Sequence, residues 1–349
     1  MNWLLYGANG YTGELIAREA VRRGLRPILA GRARERVGAL AAELGLESRL
    51  FALEPSSAVG ASLRGIGLVL NCAGPFTATG GPMMRACIEA RAHYLDITGE
   101  IAVFERAQAY GAEAHAAGIV LCPGVGFDVV PTDCLALTLK ESLPDASLLA
   151  LGFDARSSFS RGTARTMVEG LGQGGCVRRD GRLMRVPLGL RDRRIDFGAG
   201  EKLAMTIPWG DVSTAFHTTG IPNIEVYVPI SPRRLARLRL LNRVRWLLRL
   251  GAVRRFLNSR VDRQPPGPDE RERAATPTFV WGEARAADGR QRTARVVTAN
   301  GYTVTVHASL AVVLRLLSAQ APAGAITPAR LMGRGFVETL PGSSRIAID

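Results

Sequence analysis

The sequence predicts an α/β protein in which a doubly wound parallel sheet is followed by a second, mixed α/β domain. Short apolar runs alternate with helical stretches over the first third of the chain, which indicates β-α-β units. After Pro123 the pattern changes to strands with hairpin signals. The 349 residues are enough for two domains. We expect the first domain over residues 1–125, a substrate or oligomerisation domain over 126–320, and a tail, 321–349, that packs back on the first domain.

Six apolar runs and four helical stretches define the first domain. The runs are short and apolar, as in the buried strands of a parallel sheet. The predicted strands are Asn2–Tyr6, Pro27–Ala30, Arg49–Leu53, Gly67–Asn71, Tyr94–Ile97 and Ile119–Cys122. The predicted helices are Gly13–Arg23, Ala33–Leu44, Gly81–Ala90 and Ala102–Ala117.

The second domain carries the signals of an antiparallel or mixed sheet. Asp180-Gly181 and Asp288-Gly289 predict hairpin turns, because both residue types tolerate the positive φ that such turns need. The predicted strands are Leu148–Phe153, Leu183–Pro187, Glu201–Ile207 and Ile224–Val228. Ser158–Leu171 is the one helix predicted among them, and two helical segments follow, the basic Ser231–Asn258 and the apolar Tyr302–Gln320.

Composition excludes several classes of protein. With 47% hydrophobic and 22% charged residues, the chain is neither disordered nor a membrane bundle. The net charge of +14 is local: residues 1–150 carry −2, whereas Ser231–Arg263 holds eleven arginines against one acid, Asp262. A single basic stretch with few aromatic residues does not indicate a nucleic-acid-binding protein.

The cysteines and the chain start favour a reduced cytoplasm. The five cysteines lie far apart with no C-x-x-C pair, which suits neither a disulfide framework nor a metal site. Met1–Tyr6 leads directly into a glycine turn and leaves no room for a signal peptide. Because Arg315 interrupts Ala308–Leu317, we expect no apolar run of about 18 residues. We therefore expect a cytoplasmic protein without a metal, and we leave peripheral membrane association open.

A glycine turn joins the first strand to the first helix. In Gly7–Gly13 (GANGYTG), the first glycine permits a tight turn, the second lets the backbone approach a diphosphate, and the third allows close helix–strand packing. The helix N-terminus then offers N–H groups and a positive dipole end to phosphate. The turn predicts a dinucleotide-binding Rossmann domain; the alternative is a purely structural glycine turn.

Arg32 lies where the cofactor preference of such a domain is decided. An NAD site places Asp or Glu at the end of the second strand, whereas an NADP site places arginine there for the 2′-phosphate. This strand ends in Gly31-Arg32, and Arg34 and Arg36 are nearby. NADP is therefore favoured; the alternative is that these arginines form the solvated face of the next helix.

Asn71–Phe76 (NCAGPF) follows the fourth strand, at the edge of the sheet where doubly wound folds bind ligands. The small, rigid Gly-Pro loop suits a position alongside a nicotinamide riboside. Cys72 is either a packing residue or a nucleophile.

Candidate catalytic residues lie at the end of the fifth strand and after the sixth. They are Tyr94, Asp96, Glu100 and Asp128. A reductase needs a donor or a proton source near its acceptor, which side chains of these types can supply. Each has a structural alternative: Asp96 can accept hydrogen bonds from the Thr98-Gly99 turn, Glu100 can cap the following helix, and Asp128 can order the turn after it.

Two polar residues of the second domain are also candidates. His217 lies in Thr214–Thr219, which we interpret as a strand, and can be a proton donor or a structural residue. Ser160 precedes a predicted helix and is either its N-cap or a substrate ligand.

Taken together, several motifs resemble the saccharopine dehydrogenase-like oxidoreductase family. They are GANGYTG (7–13), AGR (30–32), NCAGPF (71–76), YLDITGE (94–100), PGVGFDVVPTD (123–133) and SRGT (160–163). Within that family the length and the SRGT motif look most like the trans-acting enoyl reductases, which reduce double bonds in polyketide chains carried by a separate synthase.

The resemblance implies an NADPH-dependent reductase and a set of NADP(H) contacts. The implied residues are Gly7, Ala8, Gly10, Tyr11, Thr12, Gly13, Gly31, Arg32, Cys72, Ala73, Gly74 and Pro75. The favoured function is reduction of a carbon–carbon double bond in an acyl, polyketide or lipid-like substrate. The alternatives are a saccharopine-reductase-like C–N oxidoreductase and a non-catalytic NADP-binding protein that is membrane-associated or regulatory.

The basic segment 231–263 permits three interpretations. Arginines can steer an acidic acyl carrier protein, bind an anionic membrane surface, or form the solvated face of a packed helix pair. Trp246, Leu250, Val253 and Leu257 recur at helical spacing in its second half. A homodimer is also left open.

Overall fold

The computed structural model describes residues 1–54, 59–244 and 250–349, and these form two compact units. Unit 1 comprises Met1–Val130 and Tyr302–Met332, and unit 2 comprises Pro131–Gly301 and Gly333–Asp349. Each unit is therefore built from two separate segments of the chain.

The strands and helices alternate through most of the chain. The strands are β1 (Trp3–Tyr6), β2 (Ile28–Gly31), β3 (Ser48–Leu50), β4 (Leu68–Asn71), β5 (His93–Asp96), β6 (Val120–Cys122), β7 (Ala146–Asp154), β8 (Gly175–Arg179), β9 (Arg182–Val186), β10 (Asp192–Asp196), β11 (Glu201–Ile207), β12 (Asn223–Pro229), β13 (Thr278–Ala286), β14 (Gln291–Thr298), β15 (Gly324–Ala325) and β16 (Ala347–Ile348). The helices are α1 (Tyr11–Arg22), α2 (Arg34–Leu44), α3 (Val59–Ser62), α4 (Phe76–Ala90), α5 (Ile101–Ala109), α6 (Gly111–Ala117), α7 (Val130–Ser142), α8 (Arg161–Leu171), α9 (Asp211–Thr219), α10 (Pro232–Leu241), α11 (Gly251–Val261), α12 (Glu270–Ala275), α13 (Gly301–Ser318) and α14 (Pro328–Met332).

The described strands of unit 1 form one parallel sheet in the order β15-β6-β5-β4-β1-β2-β3. Strand order reverses beside β1, which pairs with β2 on one side and β4 on the other. Tyr6 lies in register with both Ala30 and Asn71, so these three strands end at one edge. The doubly wound sheet predicted from the sequence is confirmed, and its switch point lies where the glycine turn begins.

The central strands are apolar because they are covered on both faces. Every residue of β1, β2 and β4 is buried. Strands in this position need no polar face, so they form continuous apolar runs.

Helix α13 belongs to unit 1, whereas the sequence placed it in the second domain. Its Thr305 Oγ1 accepts a hydrogen bond from the Phe127 N–H at 3.0 Å, and its Tyr302 ring meets the Tyr11 ring edge-on at 5.1 Å. Helical periodicity identifies an apolar face but not the sheet against which it packs.

The tail expected to pack on the first domain is divided between the units. β15 pairs with β6 of unit 1, whereas β16 pairs with β14 of unit 2.

In the described residues, α13 is also the one helix with the length and apolar composition of a membrane span. By length and apolar composition, the expectation that no apolar run of about 18 residues exists is wrong, because the single Arg315 leaves the mean hydropathy of the helix high. Half of the helix is buried within the protein, as in the core helix of a folded domain.

Unit 2 is built on a mixed sheet in the order β10-β11-β12-β7-β13-β14-β16, with the β8–β9 hairpin attached to β12. Strands β12 and β7 are parallel, and the other neighbours are antiparallel. Both hairpins predicted at Asp-Gly pairs are confirmed, since Asp180-Gly181 joins β8 to β9 and Asp288-Gly289 joins β13 to β14.

Three helices of unit 2 were not predicted, α7, α9 and α12. The interpretation of Thr214–Thr219 as a strand is wrong, and His217 lies on α9. Threonine and other β-branched residues favour strands in isolation, but the surrounding structure holds this segment as a helix that Gly220 ends in the left-handed conformation.

The basic segment forms two helices in its described part, α10 and α11, rather than one helix over 231–258. Trp246 lies outside the described residues. Val253 and Leu257 are partly buried, but Leu250 is exposed at the start of α11, so the predicted apolar stripe does not extend to it.

Candidate functional site

The glycine turn is shaped by two close approaches that only glycine permits and by one backbone hydrogen bond. Gly7 has a φ of +79°, and a Cβ there would lie 2.7 Å from the Ala73 nitrogen. A Cβ on Gly13 would lie 2.3 Å from the Gly7 carbonyl oxygen. The Gly10 N–H donates to that same oxygen at 3.0 Å, which closes the turn. Strand, turn and helix therefore pack backbone against backbone.

Helix α1 begins directly after this turn without a side-chain cap at Gly10. The N–H groups of a first helical turn have no partner within the helix, and the dipole places positive charge there. Helix α4 at the same edge differs, because the Glu100 carboxylate accepts from the Phe76 N–H at 2.9 Å and the Thr77 N–H at 2.7 Å. The α1 N-terminus is thus suited to a phosphate, whereas a carboxylate already occupies that of α4.

Arg32 follows β2 at this edge and is exposed. Burial raises the pKa of the Tyr6 hydroxyl, and the positive charge of Arg32 acts in the opposite direction. The Tyr6 hydroxyl donates to the Phe51 carbonyl at 3.2 Å. Asn9, which the sequence analysis did not single out, lies over Gly31, with its Oδ1 3.3 Å from the position of a Cβ there.

The arginines around this edge differ in their ion pairs. Arg18, Arg22 and Arg23 on or next to α1 all contact Glu14, Glu19 or Glu43. Across the described ranges, no carboxylate or hydrogen-bond acceptor contacts the guanidinium of Arg32, Arg34 or Arg36. Exposed guanidinium groups without carboxylate partners, at the end of β2, can bind a phosphate.

The loop after β4 is fixed against the glycine turn. The Asn71 Oδ1 accepts from the Ala73 N–H at 3.0 Å, and the Thr79 hydroxyl donates to the Ala73 carbonyl at 2.6 Å. The Cys72 N–H donates to the Tyr6 carbonyl at 2.8 Å. Cys72–Pro75 therefore forms a rigid, small-residue edge beside Gly7.

Cys72 does not have the surroundings of a nucleophile. Burial, and then the Asp96 carboxylate, raise the pKa of its thiol. The protonated thiol is a packing group.

Tyr94 and Asp96 are fully buried and hold the strand ends together. The Tyr94 hydroxyl donates to Asp96 Oδ2 at 2.7 Å, and Asp96 Oδ1 accepts from the N–H groups of Thr98 at 3.0 Å and Gly124 at 2.8 Å. Burial raises the pKa of Asp96 to about 6. The geometry supports the structural alternative for Asp96, since one carboxylate ties the loops after β5 and β6 to the sheet.

Glu100 caps a helix, but not the one that follows it. It precedes α5, yet its side chain accepts from the first amides of α4, so the expectation that it caps the following helix is wrong. The N-terminus of α4 lies within reach of this carboxylate and satisfies both of its oxygens.

Asp128 lies directly against the loop after β5. A Cβ on Gly99 would be 2.7 Å from its Oδ2. Burial of the carboxyl group, and then the charge of Glu100, raise the pKa of Asp128 to about 7. Among the four catalytic candidates, Asp128 is the one that combines partial exposure with a proton held near neutral pH.

The two candidates of unit 2 have structural surroundings. The Ser160 Oγ accepts from the Thr163 N–H at 3.2 Å, which makes Ser160 the N-cap of α8. His217 lies in the last turn of α9, beside the ring of Phe216. In the residues that the structure describes, no group of three His, Cys, Asp or Glu side chains could hold a metal ion.

Residues 3–122 match the family model of the saccharopine dehydrogenase NADP-binding domain. The matched segment is about a third of the 349 residues. It contains the glycine turn, Arg32 and the Cys72–Pro75 loop, so the NADP site predicted from the sequence lies in an NADP-binding domain.

Curated proteins align with part of this chain. A trans-acting enoyl reductase of Mycobacterium tuberculosis is 32% identical over 139 residues, which is 37% of this chain and 33% of the relative. A human saccharopine dehydrogenase-like oxidoreductase is 33% identical over 150 residues, 37% of this chain and 35% of the relative. The matches span less than half the length of these curated relatives.

The fold is similar to a solved structure over its full length. Saccharopine dehydrogenase (L-Glu forming) from Saccharomyces cerevisiae superimposes with a TM-score of 0.66, covering 100% of this chain and 99% of that chain at 12% identity. The Rossmann sheet followed by a mixed second sheet is thus the saccharopine dehydrogenase fold.

The residues present fit an NADP dinucleotide. The α1 N-terminus and the glycine turn would hold the diphosphate, Arg32 the 2′-phosphate, and Cys72–Pro75 would lie along the nicotinamide half. Sequence reasoning missed Asn9 and the proximity of Tyr302 to Tyr11. The first lies inside the glycine motif itself, and the second is 291 positions along the chain and needs the fold to bring it near.

We expect Arg32→Ala to weaken NADPH far more than NADH. Loss of charge-assisted contacts to the 2′-phosphate should cost about 1.5–3 kcal/mol, roughly 10- to 100-fold in Kd. Fluorescence titration with both dinucleotides measures this. Arg64→Ala is the matched control and should change neither Kd, because it removes an exposed arginine that precedes the start of β4. An Arg32 variant that keeps its preference for NADPH would contradict the assignment.

We expect Gly13→Ala to disturb the turn and reduce NADPH binding at least about tenfold, because the added methyl group would meet the Gly7 carbonyl oxygen. Overpacking of this kind costs about 1–3 kcal/mol of stability. Gly38→Ala is the control, since a Cβ there meets nothing within 4 Å and alanine favours the helix. The Kd for NADPH and the thermal unfolding of both variants test this prediction. Unchanged NADPH binding in Gly13→Ala would show that the close approach is not needed.

Proposed function

We propose that this protein is an NADPH-dependent reductase that reduces a carbon–carbon double bond in an acyl, polyketide or lipid-like substrate. The observation that carries the cofactor choice is the exposed Arg32, free of carboxylate contacts in the described chain, at the end of β2 of an NADP-binding domain. The substrate class is supported by relatives named trans-acting enoyl reductase.

NADPH supplies a hydride when bound. The chain's own contribution to that step is placement: the first turn of α1 would bind the diphosphate and Arg32 the adenosine phosphate. The loop Cys72–Pro75, held by Asn71 and Thr79, would fix the nicotinamide end at the edge where β4 stops. A rigid loop orients the reacting ring without rearrangement.

Reduction of a double bond also needs a proton for the second carbon. Asp128 follows β6 at the same edge of the sheet and has a pKa of about 7, so a substantial fraction carries a proton at neutral pH. Its position after β6 and its pKa near neutral make Asp128 our candidate for the proton source.

The NADPH oxidation assay described below also distinguishes two alternative functions. A C–N oxidoreductase of saccharopine type is supported by the similarity to a human saccharopine dehydrogenase-like oxidoreductase. A non-catalytic NADP-binding protein would share the cofactor site and lack turnover.

We expect the purified chain to oxidise NADPH when it is given a trans-2-enoyl thioester, with consumption followed at 340 nm. A cyclic imine and a 2-oxo acid with an amine serve as the comparison acceptors. Turnover of the imine but not the enoyl thioester would favour the C–N oxidoreductase. NADPH binding without turnover on any acceptor would favour the non-catalytic protein.

We expect Asp128→Asn to lower kcat about 10²–10⁴-fold while the Kd for NADPH stays unchanged. The donor must be protonated, and the protonated fraction falls as the pH rises through about 7. The wild-type rate should therefore decline above pH 7, and the variant should lose that dependence. Asp180→Asn is the control, because Asp180 is exposed in a turn that also suits asparagine. An unchanged pH profile in Asp128→Asn would exclude Asp128 as the donor.

A further inference from the structure

The basic segment presents cations that have no carboxylate partners. Its described part, which omits 245–249, contains nine arginines, of which Arg239 forms an ion pair with Asp192. The other described arginines are exposed and contact no acidic side chain of the described residues; they are Arg233, Arg234, Arg237, Arg243, Arg254, Arg255, Arg260 and Arg263. Eight of the nine described arginines therefore have no carboxylate partner in the described chain.

The same segment exposes large apolar side chains. Of the thirteen such side chains exposed in the described residues, five lie in this segment: Leu240, Leu241, Val244, Leu250 and Phe256, with exposed fractions of 43–61%. Isolated apolar side chains on a surface are common, but a group of them among unpaired cations is not.

The helices are anchored on their opposite sides. On α10, Leu235 is buried, and Asn242 just beyond the helix exchanges hydrogen bonds with the backbone of Leu188 at 2.9 and 3.1 Å. On α11, Val261 is buried, and Asp262 pairs with Arg165 of α8 at 2.5 Å. Each helix therefore packs through one side and leaves the other without a partner in the described chain.

Cations and apolar groups share these outward sides. On α10, Arg237 is followed by Leu240 and Leu241 at helical spacings of three and four. On α11, Phe256 is followed by Arg260 four positions on, whose guanidinium lies 6.0 Å from the ring centre. We name the exposed residues of α10, α11 and the described residues between them the basic apolar surface.

We propose that the basic apolar surface binds an anionic phospholipid membrane. Lipid phosphates neutralise arginines, and the acyl boundary beneath them accepts leucine and phenylalanine side chains. A second copy of this chain would bring two arginine-rich surfaces together, which charge repulsion opposes. An acidic carrier protein would neutralise the arginines but would not account for the five exposed apolar side chains.

Vesicle flotation of the full chain tests the proposal. We expect binding to phosphatidylcholine vesicles that contain about 30 mol% phosphatidylglycerol at about 0.1 M salt, and little binding to phosphatidylcholine alone. Arg254→Gln with Arg255→Gln should lower the partition coefficient at least about tenfold. Leu250→Ser with Phe256→Ser should remove the part of the binding that survives about 0.5 M salt, because that part depends on apolar insertion.

Arg292→Gln with Arg345→Gln is the matched control, since both arginines are exposed in unit 2 outside the segment. It should bind as the wild type does, and circular dichroism melts show that every variant is folded. Three results would overturn the proposal: no flotation with anionic vesicles, equal flotation with neutral ones, or an equal loss in the control. Capture by an acidic acyl carrier protein in the absence of vesicle binding would also overturn it and assign the surface to a protein partner.

Discussion

The contact of Gly7 with Ala73 and Gly13 is the constraint on which the rest of unit 1 depends. Three backbone segments meet there without room for a methyl group, so the first strand, the first helix and the loop after β4 are fixed as one edge. That packing leaves the N-terminus of α1 without a side-chain cap. It also places Cys72–Pro75 beside the turn, which gives a dinucleotide a rigid surface along which to lie.

The charged side chains differ in whether the fold supplies a partner for them. The buried carboxylate of Asp96 is saturated by a hydroxyl and two amides, and Glu100 neutralises the N-terminus of α4. Arg32 has no such partner in the described chain, and neither do most arginines of α10 and α11. Groups whose charge is balanced within the fold stabilise it, whereas unbalanced guanidinium groups are available to a ligand phosphate.

Local patterns sufficed to predict the parallel sheet, the glycine turn and both Asp-Gly hairpins, because each depends on residues adjacent in sequence. Contacts made in three dimensions could not be predicted. Glu100 caps α4 rather than α5, and α13 packs in unit 1 although 171 residues separate the two segments of that unit. Thr214–Thr219 is helical despite its threonines, because tertiary packing overrides a weak local preference. The positions of Asn9 against Gly31 and of Asp128 against Gly99 likewise depend on contacts between loops that follow different strands.

A crystal structure of the protein with NADPH shows directly where the dinucleotide binds. We expect density for the diphosphate within hydrogen-bond distance, about 2.7–3.2 Å, of the amides at residues 10–13, and for the adenosine phosphate against Arg32. Density for the dinucleotide elsewhere in the molecule, or an empty glycine turn at saturating NADPH, would show that this edge of the sheet is not the cofactor site.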